Sequence, residues 1–123
     1  MRYLHRVLGA MALLTAIARP AYAQDCQRPA NPPAVPDGAK ATVDQFKVAH
    51  PLIQAYVQAL DAYTACLDAK IKQLPQGAKP DAVQKLRDAG GSATDEAKTL
   101  SSAYMDQVKI FKTTGKGSSP GAH

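Results

Sequence analysis

An all-α fold, an antiparallel hairpin of two long, kinked helices behind a proline-rich arm, is what this sequence predicts. Three observations lead there. From Thr42 onward, large apolar residues recur at alternating steps of three and four, the spacing of one helix face. The pattern is interrupted by a short proline and glycine turn, LPQGAKPD at residues 74–81, and then resumes. Ahead of it stands CQRPANPPAVPDG at residues 26–38, whose prolines suit neither a helix interior nor a central strand.

Residues 1–23 read as a signal peptide and are set aside from the fold. Arg2, His5 and Arg6 make a basic start, and residues 7–17 are an apolar run. Ala21-Tyr22-Ala23 places small residues at the two positions a signal peptidase reads, so cleavage is expected after Ala23. The run is too short to span a hydrocarbon core, which takes about twenty residues in a helix. The remaining chain, residues 24–123, is one domain at most, expected in the periplasm or secreted and not inserted in a membrane. Cys26 is not a lipidation site, because Gln24 and Asp25 precede it.

Cleavage also changes the charge. The full chain has 15 basic and 10 acidic side chains, a net charge of +5. Without Arg2, Arg6 and Arg19 the balance is 12 against 10, or +2. That argues against nucleic acid, and the densest basic cluster, Lys109, Lys112 and Lys116, reads as a solvated face.

Both cysteines, Cys26 and Cys66, outlast cleavage, and two cysteines in an oxidising compartment most simply form one disulfide. Closing so long a loop stabilises a fold by about 4 kcal/mol in the chain-entropy account.

Helix one has a seam of Val43, Phe46, His50, Ile53, Val57, Leu60, Thr64, Leu67, Ile71 and Leu74. Thr42 with Gln45 reads as a capping box, and Asp44 suits the positive end of the helix dipole. Pro51 lies inside the pattern and predicts a kink near residues 47–50, not an end. The same helix carries a second, mostly small apolar face: Leu52, Ala55, Tyr56, Ala59, Ala62, Tyr63, Cys66 and Ala69.

A bare hairpin has no use for that face, and the arm, residues 24–41, is expected to cover it. The helix from Cys66 back to Thr42 measures about 36 Å. A polyproline segment over residues 26–42 reaches about 50 Å, long enough to run back along the helix and turn into its start. Cys26, Pro29, Pro32 and Val35 would line one edge, and Pro36-Asp37-Gly38 would make the turn.

Pro80 is well placed to open helix two. Its seam is Val83, Leu86, Gly90, Ala93, Ala97, Leu100, Tyr104, Gln107 and Phe111. Counted outward from the turn, Gly90, Ala93 and Ala97 face Thr64, Leu60 and Val57, small against large. Gly90-Gly91-Ser92 reads more readily as a kink or short break than as unbroken helix, since two interior glycines cost about 2 kcal/mol relative to alanine. The hairpin occupies residues 42–112, and residues 113–123 form a tail with nothing to bury, expected to be disordered.

Cys26, Pro36-Asp37-Gly38, Tyr56 and Tyr63-Thr64-Ala65-Cys66-Leu67 together resemble a pattern in small uncharacterised secreted proteins of Gram-negative bacteria. The resemblance covers residues 26–68. It implies a periplasmic setting and a Cys26–Cys66 pair, and it carries no catalytic residue to transfer.

The parts of reactive chemistry are missing from the pattern. His50 is the sole histidine in a helical segment, facing Tyr104 across the hairpin, and reads as a partly buried packing residue rather than a proton shuttle. Asp61, Asp68 and Lys72 form a solvated stripe rather than a metal site. No serine has a histidine and a carboxylate in support, no phosphate loop is present, and the cysteines are too far apart for a Cys-x-x-Cys redox pair. No catalytic residue, metal or cofactor is therefore expected.

Tyr104, Met105, Val108, Ile110 and Phe111 widen the apolar stripe near the end of helix two. They either cap the Phe46 end of the hairpin or meet another chain. The function expected is that of a non-catalytic exported module acting through a protein partner or self-association. The alternative is a small-ligand or metal-binding protein using His50, Tyr104 or His123.

Overall fold

The computed structural model describes residues 25–114. The expected signal peptide and residues 115–123 of the tail lie outside the described residues. Within them the chain is helical, with α1 at Val43–Gln73, α2 at Pro80–Thr113 and no strand. Phe46 packs on Phe111, Tyr56 bonds Glu96, and Gly90 faces Thr64 and Leu67. Numbers that rise on one helix while falling on the other make the pair antiparallel.

Each boundary has a local cause. Thr42 caps α1: Gln45 N–H donates to Thr42 Oγ1 at 3.3 Å, and Thr42 N–H donates to Gln45 Oε1 at 2.8 Å, completing the capping box. Asp44 lies in the first turn and Lys70 and Lys72 in the last, both in the sense the helix dipole favours. α1 passes through Pro51 without ending. At the far end Leu74 N–H closes on the Ile71 carbonyl at 3.2 Å, and the connection turns at Gly77, whose φ of 93° is the left-handed value glycine accepts. Pro80 then opens α2, where its missing N–H costs nothing.

Two clusters form the interior. Tyr56 and Leu60 of α1 meet Ala93 and Ala97 of α2, with Val57, Tyr63 and Leu100 packed around them. Leu60 is completely buried. Small residues on α2 let the backbones approach, as the small-against-large pairing predicts. At the other end Ala41, Phe46 and Phe111 are buried together, flanked by Tyr104 and Val108. The Phe46 ring lies 4.8 Å from Phe111 and 6.0 Å from Tyr104, both tilted, an arrangement aromatic quadrupoles favour.

Of the kink or short break expected at Gly90-Gly91, the break is absent: α2 is continuous through both glycines. Gly90 is buried against Thr64 and Leu67, so packing on α1 offsets the local cost of flexible residues. Gly91 is exposed, and a β-carbon there would meet nothing within 4 Å. Gly91→Ala is therefore expected to raise stability by about 1 kcal/mol, read in a thermal melt; a lowered midpoint would contradict the continuous helix.

Helix one also departs from its predicted seam at the start. Val43 and His50 are exposed, while Ala49 and Tyr56 are buried. The burial stripe is shifted because α1 has two neighbours, α2 and the arm.

Candidate functional site

The arm is fastened at several points. Its covalent anchor is the Cys26–Cys66 disulfide, with Cα atoms 5.7 Å apart. Beside it Lys70 Nζ pairs with Asp25 Oδ1 at 3.1 Å, an exposed contact that contributes little. Further along, Arg28 pairs with Glu96 of α2. Tyr56 Oη donates to Glu96 Oε1 at 2.6 Å, and the Pro29 carbonyl is a second, longer acceptor at 3.4 Å. One carboxylate thus joins arm, α1 and α2.

The arm therefore lies across both helices and not, as expected, along the outer flank of α1 alone. The reason is reach: Tyr56 sits at the edge of α1 nearest α2, and the arm follows the groove where it can bury apolar surface on both sides. Tyr56, Ala59, Tyr63 and Cys66 of the second face are covered or half-covered, while Leu52, Ala55, Ala62 and Ala69 stay exposed.

The inward edge of the arm also differs from the three-residue repeat. Cys26, Pro29 and Val35 are half-buried as expected, but Pro32 is exposed and Pro33 turns inward. Asn31 has φ of 60°, and one left-handed residue resets the polyproline phase.

Pro36-Asp37-Gly38 does make the turn into α1. Asp37 Oδ1 accepts from Ala39 N–H at 2.9 Å, and its carbonyl accepts from Lys40 N–H at 3.1 Å and Ala41 N–H at 2.7 Å. Gly38 N–H donates to Gln107 Oε1 at 2.7 Å. A β-carbon at Gly38 would stand 2.2 Å from the Gln107 carbonyl oxygen, so glycine is needed for close approach to α2.

Hydrogen bonds from Tyr56 and Arg28 hold the Glu96 carboxyl below its usual 4.5, and the bond to Glu96 pushes the Tyr56 phenol above its usual 10.0. A lowered carboxyl stabilises the fold above about pH 4.5, and that contribution is lost as pH falls through the depressed folded value. A raised phenol stabilises below its unfolded value and loses the contribution as pH rises through the raised one. Glu96→Gln is expected to flatten the stability profile on the acid side of this window, measured by urea unfolding from pH 3 to 6. An unchanged acid limb would remove Glu96 from the fastening.

Of the residues expected to form a surface near the end of α2, Phe111 is buried, Tyr104 and Val108 are half-buried against Phe46, and Met105 and Ile110 are exposed. The stripe thus caps the Phe46 end with its middle and leaves Met105 and Ile110, about 140° apart around α2, exposed on its two flanks. His50 is exposed rather than partly buried, its ring 5.6 Å from that of Tyr104.

Three residues of α1 are exposed at the same end. Among the described residues, the exposed large hydrophobic side chains are Val43, Val48, Leu52, Met105 and Ile110. All belong to the start of α1 or the end of α2, and the interhelical turn has none. Val48 was not expected there. It lies on neither predicted face of α1, and a large apolar residue off both faces is the signal sequence reasoning passed over.

Two recesses adjoin three of these side chains, Val48, Leu52 and Ile110. One of about 690 Å³ lies between the arm and α1, walled by Val35 and Pro36 on one side and Val48 and Leu52 on the other. The second, about 450 Å³, lies between the same arm residues and Ala103, Gln107 and Ile110 of α2. A smaller cleft of about 270 Å³ holds His50, Tyr104 and Met105.

Among the described residues no three His, Cys, Asp or Glu side chains converge to hold a metal ion, and no helix is long and apolar enough to cross a membrane. The chain matches no known family model, and neither characterised proteins nor solved structures show a significant similarity to it.

Proposed function

We propose that this protein is a non-catalytic exported module that acts by protein–protein contact through the open end of its hairpin. The observation that carries the reading is the pair of recesses at that end, walled by the exposed Val48 and Leu52 of α1 and Ile110 of α2, with Val43 and Met105 also exposed at the same end. Scattered apolar side chains on a surface are ordinary, whereas exposed apolar side chains walling an open recess mark a contact site. The leader pattern of residues 1–23 and the Cys26–Cys66 bond support export to an oxidising compartment. The test is a photo-reactive residue placed at Val48, compared with one at Lys79 beside the turn, in cells that export the protein. Protein–protein adducts are expected from Val48 and not from Lys79; none from Val48 rejects the reading.

A second reading, a small-ligand or metal-binding protein, rests on the cleft that brings His50, Tyr104 and Met105 together. Calorimetric titration with copper, nickel or zinc tests its metal form, and absence of heat with all three removes it.

A further inference from the structure

We propose that the partner at the open end is a second copy of this chain, docked about a two-fold axis. The inference rests on the contact reading above and names its occupant.

The first argument is shape. The arm crest at Val35 and Pro36 separates the two recesses. On the far wall of the larger one, Val48 and Leu52 stand 64% and 55% exposed. A two-fold contact uses the same patch twice, so each copy must supply both the protrusion and the hollow that receives it. Here they are adjacent on one surface: Leu52 and Val48 of one copy fill the recess of the other, and the reverse.

The second argument is charge. Around the patch three exposed pairs of opposite sign stand three residues apart: Asp37 with Lys40, Asp44 with Lys47, and Asp106 with Lys109. Lys112 is a fourth exposed ammonium group at this end. A rim in which three carboxylates stand among four ammonium groups gives a strongly acidic or basic partner little attraction. Facing itself, it sets opposite signs against each other with little net repulsion.

The third argument is what the rest of the chain has to offer. Residues 115–123, GKGSSPGAH, follow α2 at this end but contain no large apolar side chain to lay over the patch. The apolar run at residues 7–17 belongs to the expected leader, and the arm it precedes starts at the opposite end, where Asp25 meets Lys70.

Sedimentation velocity of the purified, oxidised protein tests this over a concentration series. A reversible dimer is expected, and Leu52→Lys or Val48→Lys should weaken its dissociation constant at least about tenfold. Both positions are exposed, so the helical circular dichroism should not change. A charge exchange adds a test that mere stickiness would fail. Asp44→Lys/Asp106→Lys and Lys47→Glu/Lys109→Glu should each be monomeric alone and form a heterodimer when mixed.

A protein monomeric up to roughly 1 mM, a dimer indifferent to Leu52→Lys, or rim variants that do not pair on mixing would each overturn the proposal. The wider reading fails separately. A monomeric chain that still forms Val48 adducts with a different protein in the cell rejects the second copy and keeps the contact site.

Discussion

Replacing Cys26 and Cys66 together by alanine is expected to lower stability by about 4 kcal/mol, the chain-entropy value for a link across 40 residues. That is a large fraction of the 5–15 kcal/mol typical of a domain, and it corresponds to a fall in melting midpoint of roughly 20 °C. The effect should be large because the arm has no regular secondary structure of its own. Without the link, the polar contacts at Arg28, Tyr56 and Gly38 must hold it alone. Urea unfolding of the wild type and the double variant measures the difference. Equal midpoints would mean that the arm contributes nothing to the cooperative unit.

Gly38→Ala is expected to cost about 2–3 kcal/mol, because a new β-carbon would lie 2.2 Å from the Gln107 carbonyl oxygen and 2.9 Å from Ile110 Cβ. Backbone cannot move aside as a flexible side-chain tip does, so the turn must lift from α2. The loss should fall on the arm first: protection of the Gly38 neighbourhood from hydrogen exchange should drop while helicity persists. Gly91→Ala, the same chemical change on the same chain, is expected to act with the opposite sign, since nothing lies within 4 Å of it. A stabilising Gly38→Ala would show that the turn does not press on α2.

Much of the hairpin was legible before its coordinates. The capping box at Thr42 and Gln45, the turn at Gly77 and the opening proline of α2 depend on neighbours within four residues. Counting outward from the turn also placed Ala93 opposite Leu60 and Ala97 opposite Val57, residues that pack in one cluster, because two antiparallel helices of equal rise keep register. The continuity of α2 was not legible. The cost of Gly90 and Gly91 is local, but the burial that offsets it is supplied by Thr64 and Leu67, residues more than twenty positions away.

The fastening of the arm followed the same division. Its length, stiffness and cysteine pointed to α1, yet the Arg28, Tyr56 and Glu96 network joins positions 40 and 68 apart in the chain. Nothing in the spacing of a single glutamate on α2 announces such a role. The open end was half legible: Met105 and Ile110 were picked out from their stripe, whereas Val48 belonged to no stripe at all.

By itself, then, the sequence determined the cap that opens α1, the turn between the helices, the proline that opens α2, and which two cysteines are there to pair. Those properties are written in caps, periodicity and composition, all of which act over a few residues. The tertiary structure alone decided that the arm bridges both helices, that two glycines remain helical, and that five large side chains are left open at one end. Each of these depends on what a distant segment places within a few ångströms, a distance no local pattern encodes.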